Sequence, residues 1–344
     1  MKTPTAEISV NGRPVASTFN DRLVSVTITD KDGLTSDSIS CQLNDGTPFA
    51  RIPRKGDTIS ASLGYLETGV VFFGDYTADD PEVQCLPYGM TVNGKGANMR
   101  DALKQRKARH WDQKTVKDIV TEIANDNGLT PAIDAEVGAH TYEWFGQLDE
   151  GDIDVVARLA ERHDALVSVK AGRLVFAKKG GGTTASGKPM PTIVASPYNI
   201  VEGSCRTTFA LRERFKSVKA RHQDRAKAEL VEVEEDSDED GTADLTLPEP
   251  YADEAEAKRA AKSKARDLKS NTIRTSVTLF GDPTVRAGCP FVYAGVRPEL
   301  DGLQFVIESA THTISKAGYT VDVEARLRPE QEAVASGASG SNGD

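Results

Sequence analysis

Apolar and polar residues alternate from the start of the chain. Ile8 and Val10, then Val24, Val26 and Ile28, point to one face each of two strands. Asn11-Gly12, Asp32-Gly33 and Asp45-Gly46 are turn signals between such runs. Thr58 to Leu63, Val70 to Tyr76 and Met90 to Gly94 continue the pattern. Five to seven short strands over residues 1–98 predict a small barrel or sandwich.

The period changes over residues 99–178, which predicts an α+β unit. Thr115-Val116-Lys117-Asp118 has the spacing of a capping box, just after Trp111. Val116, Ile119, Val120, Ile123 and Ala124 trace one helical face, and Gly128 is placed to end the helix. Tyr142 to Phe145 is a short aromatic strand. Asp149 to Asp152 supply carboxylates for a second helix N-terminus, as caps and against its dipole. Ile153, Val156, Ala157 and Ala160 recur at helical spacing behind them. After His163 the pattern returns to strand: Ala165 to Val169, a turn at Lys170-Ala171-Gly172, and Arg173 to Phe176 form a hairpin. Both Trp111 and Trp144 sit in core-like patterns.

Residues 179–197, rich in Gly, Pro and small polar side chains, predict a linker. Alternation resumes over residues 198–328 as a second small β-barrel. Its strands are Phe215 to Lys219, Leu230 to Val233, Thr275 to Phe280, Phe291 to Ala294, Phe305 to Thr313 and Tyr319 to Leu327. Glu232 to Asp244 is an acidic hairpin loop. Tyr251 to Leu268 is a helix with Ala252, Ala255, Ala260 and Ala261 on or near its buried face. Residues 329–344 read as a disordered tail by composition. The expected fold class is therefore mainly β with an α+β insertion, two similar barrels flanking a helix–hairpin unit. A weak internal repeat agrees: Arg54-x-Gly56-Asp57 and Arg286-x-Gly288-Cys289 each open a strand at corresponding places.

Composition narrows the function. At 344 residues and a formal charge of −10, the chain can bury two or three cores but lacks the basic footprint of non-specific duplex binding. An acidic surface lining a conduit would let DNA pass without sticking. Cys41, Cys85, Cys205 and Cys289 are scattered and read as reduced thiols. No apolar run nears the ~20 residues that span a bilayer, and residues 1–10 lack a signal-peptide core.

Motifs for chemistry fall short. Gly182 to Lys188 resembles a phosphate loop, but Pro189 stands where Ser or Thr must bind Mg²⁺. Asp236-x-Asp238-x-Asp240-Gly241 starts like a calcium loop, but Leu247 replaces the twelfth-position Glu. His163-Asp164 is the best acid/base pair, and a histidine facing the helix dipole explains it more simply. Glu150 and Asp152 could serve as paired carboxylates of a cell-wall hydrolase, yet capping accounts for both. No cofactor, metal ligand or catalytic residue is assigned.

One stretch carries a family signature. Gln147, Glu150, Asp152, Asp154, Arg158 and Leu159, followed by the hairpin, resemble the bacteriophage late control protein D family. These are tail baseplate hub proteins, related to the hub part of type VI secretion spike proteins. Gly151 stands where the family has serine, and Val155 where it has an aromatic. The resemblance runs roughly from Ile8 to Leu327. It implies a structural, non-enzymatic role for the six motif residues. It implies a homotrimeric ring in a virion tail or contractile injection particle, joining a sixfold tail tube to a threefold spike and assembled in the host cytoplasm. Its implied partners are copies of itself, a tube or tube-initiator protein, a separate spike protein, other baseplate proteins and a tape-measure protein. The acidic balance argues against specific nucleic-acid binding, and the lack of a long apolar run against membrane insertion. The chain ends soon after Leu327, so the spike is expected on a separate protein. The alternative is a cell-wall-degrading tail enzyme.

Overall fold

A computed structural model describes residues 2–14, 22–96, 101–170, 172–179, 189–210, 214–224, 227 and 229–328. The first third contains β1 (Pro4–Val10), β2 (Arg13–Pro14), β3 (Leu23–Lys31), β4 (Ser38–Asn44), β5 (Thr58–Tyr65), β6 (Gly69–Gln84) and β7 (Gly89–Gly96). The middle unit contains a 3-10 turn (Asp101–Lys104), β8 (Arg106–Thr115), α1 (Val116–Asp126), β9 (Thr130–Ile133), β10 (Thr141–Gly151), α2 (Asp152–Arg162), β11 (Ala165–Lys170) and β12 (Arg173–Lys178). The last part contains β13 (Ile193–Ala195), β14 (Arg206–Phe209), β15 (Phe215–Asp224), β16 (Glu229–Asp236), β17 (Ala243–Tyr251), α3 (Glu254–Ser270), β18 (Ile273–Phe280), β19 (Pro290–Tyr293), β20 (Gln304–Ser315) and β21 (Gly318–Leu327).

The mainly β class with an α+β insertion holds, but barrel closure is not seen. The first and last β regions run into one sheet, along the path β14-β18-β21-β20-β3-β4-β7-β6-β5-β1-β2. The joint is β3 against β20, with Ser25 to Lys31 paired antiparallel to Ser315 to Ser309. One apolar cluster serves both regions, from Ala6 and Ile28 to Phe305 and Leu327. The middle unit has its own cluster around Trp111, Ile123, Leu159 and Phe176. A third, small one lies between β15 and α3.

The two regions are alike in local geometry. Strands β5-β6-β7-β4 and β19-β20-β21-β18 follow the same order. Gly56 and Gly288 both have φ near +90°, at 90° and 85°, a conformation that glycine takes without strain. Asp57 and Cys289 donate their amides to Arg54 and Arg286 at 3.0 and 3.2 Å. Gly56 then donates to Ala78 and Ala78 back to Asp57, while Gly288 donates to Ile307 and Ile307 back to Cys289. In both, the next pairing step to β7 or β21 carries a register shift. The weak sequence repeat therefore corresponds to a repeated turn-and-strand clamp.

Local signals were obeyed in the middle unit. Thr115 and Asp118 form the reciprocal capping box, and the five apolar residues of α1 are buried. Gly128 has φ 64° just past the C-cap Asn127. The hairpin β11–β12 closes with Lys170 opposite Arg173. The aromatic strand is longer than expected. It is β10, eleven residues, and it pairs with β8. Trp111 is buried as expected, whereas Trp144 is 56% exposed, its ring lying over Gly146 on the open face of that pair.

Helix α3 starts at Glu254 with Asp253 as its cap, because Tyr251 belongs to β17. Ala252 and Ala255 are consequently exposed, and Ala257, Ala260, Ala261 and Ala265 form the buried face. The acidic segment is not a hairpin loop. β16 and β17 flank β15 on opposite sides, so the connection crosses the end of the central strand. The phosphate-loop resemblance at residues 182–188 and the expected tail lie outside the described residues, as does the part of the expected linker over residues 180–188. The described end of that segment is not a linker: β13 pairs parallel with β19 and buries Ile193 and Ala195 in the core of the long sheet.

Asp30 ties the parts together. Its carboxylate accepts the Ala287 amide at 3.1 Å and an ion-paired hydrogen bond from Lys170 of the middle unit. Nearby, Arg286 lies over the Phe73 ring at 3.3 Å and donates to the Phe72 carbonyl. His312 is fully buried there. Its Nε2–H donates to the Val285 carbonyl at 2.9 Å, so Nδ1 accepts from the Tyr319 hydroxyl at 2.8 Å. Burial, reinforced by the Arg286 charge, pushes its pKa down to about 4.

That shift fixes a pH dependence. Between pH about 6.5 and about 4 the unfolded chain takes the His312 proton and the folded chain does not. Stability is lost as pH falls through this window, by on the order of 3 kcal/mol for this group. Asp37 acts in the opposite direction, because burial and the Asp30 charge push it up to about 6. Denaturant titrations at pH 7 and pH 4.5 should show a smaller loss for His312→Gln than for the wild-type chain.

Candidate functional site

The six motif residues converge on the junction of β10 and α2. Lys107 and Arg109 alternate onto the same face of β8. Gln147 on β10 stands opposite Arg109. A register shift at Asp149, with φ 54°, then turns the chain into the helix. Asp152, the first helical residue, has no exposed surface. One of its oxygens accepts from Lys107 Nζ at 2.6 Å and Asn127 Nδ2 at 2.8 Å; the other accepts from Arg109 at 2.8 Å and Gln147 Nε2 at 3.0 Å. Gln147 Oε1 in turn accepts from Arg109 Nε at 2.7 Å. Burial alone would raise the Asp152 pKa. The hydrogen bonds from Lys107, Asn127 and Gln147, with the Arg109 charge, outweigh it and hold the carboxyl below its usual range.

The remaining four residues brace the same turn. Gly151 is the N-cap, so none of Asp149, Glu150 or Asp152 caps the helix as the sequence suggested. Instead the Asp154 carboxylate accepts the Gly151 amide at 3.1 Å. Glu150 pairs with Arg158, which also donates to the Gly146 carbonyl at 2.9 Å and stacks over Phe145 at 4.5 Å. Leu159 and Val155 are fully buried. Four donors occupy the lone-pair sites of Asp152, which leaves it no capacity as a base. Asn127, Lys107 and Arg109 were missed in the sequence. The signal was present in the basic run Arg106 to His110, whose alternation marks a strand with cations on one face.

A second polar cluster joins the middle unit to α3. Glu256 is fully buried and accepts from Tyr142 and from Arg162, the latter at 3.1 Å; its other oxygen accepts the Ala252 amide at 2.8 Å. The Tyr142 proton is thereby committed, so the tyrosine oxygen accepts from His163 Nε2–H at 2.8 Å. His163 is a neutral imidazole. Burial, with the charges of Arg259 and Arg162, pushes its pKa down to about 3. A charge–dipole role at the end of α2 therefore does not apply. Arg259 donates to His140 Nδ1 at 2.7 Å, and Arg266 pairs with Asp164. The histidine–aspartate pair is thus split: His163 faces Tyr142 and Asp164 faces Arg266.

In the acidic segment Asp238 and Asp240 both pair with Arg214, and Asp244 pairs with Lys219 at 2.7 Å. Among the described residues no group of three or more His, Cys, Asp or Glu side chains is arranged to hold a metal ion. The four cysteines are free.

Asp152→Ala leaves two cations and two amides without their buried acceptor and should cost about 3–5 kcal/mol. Asp154→Ala removes one part-buried cap contact and should cost about 1 kcal/mol. Urea denaturation of the two variants measures the difference.

The comparisons with known proteins agree with this architecture. The profile of the family described as phage tail baseplate hub (GPD) matches residues 69–318. The probable baseplate hub protein of Escherichia phage 186 is 28% identical over 362 residues, covering 94% of this chain and 93% of that one. The 43 kDa tail protein of prophage MuSo2 from Shewanella oneidensis superposes with a TM-score of 0.70 at 15% identity, covering 96% of this chain and 99% of that one. A type VI secretion component of Escherichia coli superposes at 0.60 and 11% identity, covering 94% of this chain and 77% of that one. The matched profile covers well over half of the chain, so the chain belongs to the phage tail baseplate hub (GPD) family.

Proposed function

We propose that three copies of this chain form a ring in a tail baseplate and join a sixfold tail tube to a threefold spike. The observation that carries the reading is the repeated clamp of the two half-sheets, around Ala78 and Ile307. Three chains with two alike halves offer six near-equivalent units to a hexameric partner and three identical seats to a spike. On this reading residues 1–98 and 198–328 build the ring, and residues 99–178 are a clamp or docking surface beside it. The six motif residues are scaffold: they fix how β10 enters α2. The partners are a tube or tube-initiator protein, a spike protein, other baseplate proteins and a tape-measure protein, with assembly in the host cytoplasm.

A hydrolytic role finds less support. Glu150 and Asp152, the paired carboxylates it would need, are engaged by Arg158 and by four donors respectively. His163 is buried and neutral. Size-exclusion chromatography with light scattering tests the reading. The expected particle has three times the 37.0 kDa chain mass. A monomer that clears peptidoglycan in a zymogram would favour the enzyme.

A further inference from the structure

The small sheet β16-β15-β17 has two unlike edges. Helix α3 covers one of its faces, with Val218 and Ala220 packed on Ala257, Ala261 and Ala265. The β17 edge carries Pro248 and Pro250, and its pairing with β15 shifts register twice. Both features blunt an edge against further pairing. The β16 edge has neither. Its eight residues pair with β15 in unbroken register, from Asp236 opposite Ser217 to Glu229 opposite Asp224. No strand lies on its other side among the described residues. Its end is pinned, since the amides of Ser237 and Asp238 donate to the carbonyls of Lys216 and Phe215 at 2.8 and 3.1 Å. The strand thus offers a straight row of outward N–H and C=O groups.

The side chains add a charge pattern with period two. Val233 faces the helix, while Glu232, Glu234 and Asp236 are exposed on the opposite face. On the β15 side, Glu234 stands opposite Lys219 and Glu232 opposite Arg221. No Lys or Arg occurs between Lys227 and Lys258. The acidic row therefore has cross-strand cations on one side only.

We propose that the β16 edge accepts an extended segment of a partner protein carrying Lys or Arg at every second position. The segment adds as a fourth strand. Its backbone supplies the ladder, and its cations take the place that Lys219 and Arg221 hold on the other side. An acidic segment is rejected by like charges directly opposite. This goes beyond the ring and spike reading and does not depend on the trimer.

The test uses the full chain and three labelled eight-residue peptides, read by fluorescence anisotropy. One alternates Lys and Thr; one alternates Glu and Thr; the third is the Lys–Thr peptide N-methylated on its ladder-facing amides. The first should bind, more weakly as salt rises, and should slow hydrogen exchange at Glu229 to Asp236. The second should not bind. The third should bind at least about tenfold more weakly, the loss expected for missing ladder bonds. Glu232→Lys with Glu234→Lys should reverse the peptide preference, and if that variant fails to fold the methylated peptide still decides. Equal binding of the methylated peptide would mean simple ionic adhesion and overturn the proposal. So would protection elsewhere in the chain, or protection of this edge that grows with protein concentration without peptide and assigns it to a second copy.

Discussion

Buried ionic contacts between separately cored parts hold this molecule in one arrangement. Its apolar residues do not form a single interior. They divide into the cluster of the long sheet, that of the middle unit and that beneath α3. Leu34 of the first region packs on the middle cluster, and the other contacts that cross include polar ones: Lys170 to Asp30, Tyr142 and Arg162 to Glu256, Arg266 to Asp164, and Lys179 to Asp267. Such pairs contribute little net stability against apolar substitutes, but breaking one leaves an uncompensated buried charge. They fix orientation more than they add cohesion. A part whose neighbours must sit at defined angles has use for that kind of contact.

The motif of the middle unit works by the same logic on a smaller scale. Asp152 gathers a strand, a helix end and a second strand onto one carboxylate. Asp154 and Arg158 then set the entry and the axis of α2. The carboxylates that look like a hydrolase pair in the sequence are engaged by other side chains, Glu150 by Arg158 and Asp152 by Lys107, Asn127, Arg109 and Gln147.

Much of this was legible from local signals. The capping box at Thr115, the α1 stripe and the β11–β12 hairpin each depend on residues a few positions apart, and all appear as read. The cap of α2 was misplaced because four acids in six residues compete for it, and only burial chooses among them. Trp144 was read as core because its neighbours Tyr142 and Phe145 are; its outward position follows from pairing with β8, whose strand character was overlooked. Glu256 looked like one more acid on a charged helix. Its partners, Tyr142 and Arg162, lie about a hundred residues earlier, beyond the reach of any periodicity. The two half-sheets were recognised from an Arg-x-Gly repeat, but their merging through β3 and β20 has no sequence signature.

That seam has a consequence for how the protein is made. The hydroxyls of Thr29 and Thr311 meet across it, 282 residues apart. A ribosome releases β3 long before it has polymerised the strand that will cover it, so every nascent chain carries an unpaired, apolar-backed ladder through nearly its whole synthesis. Yield of folded protein then depends on how fast translation finishes relative to chance encounters between unfinished chains.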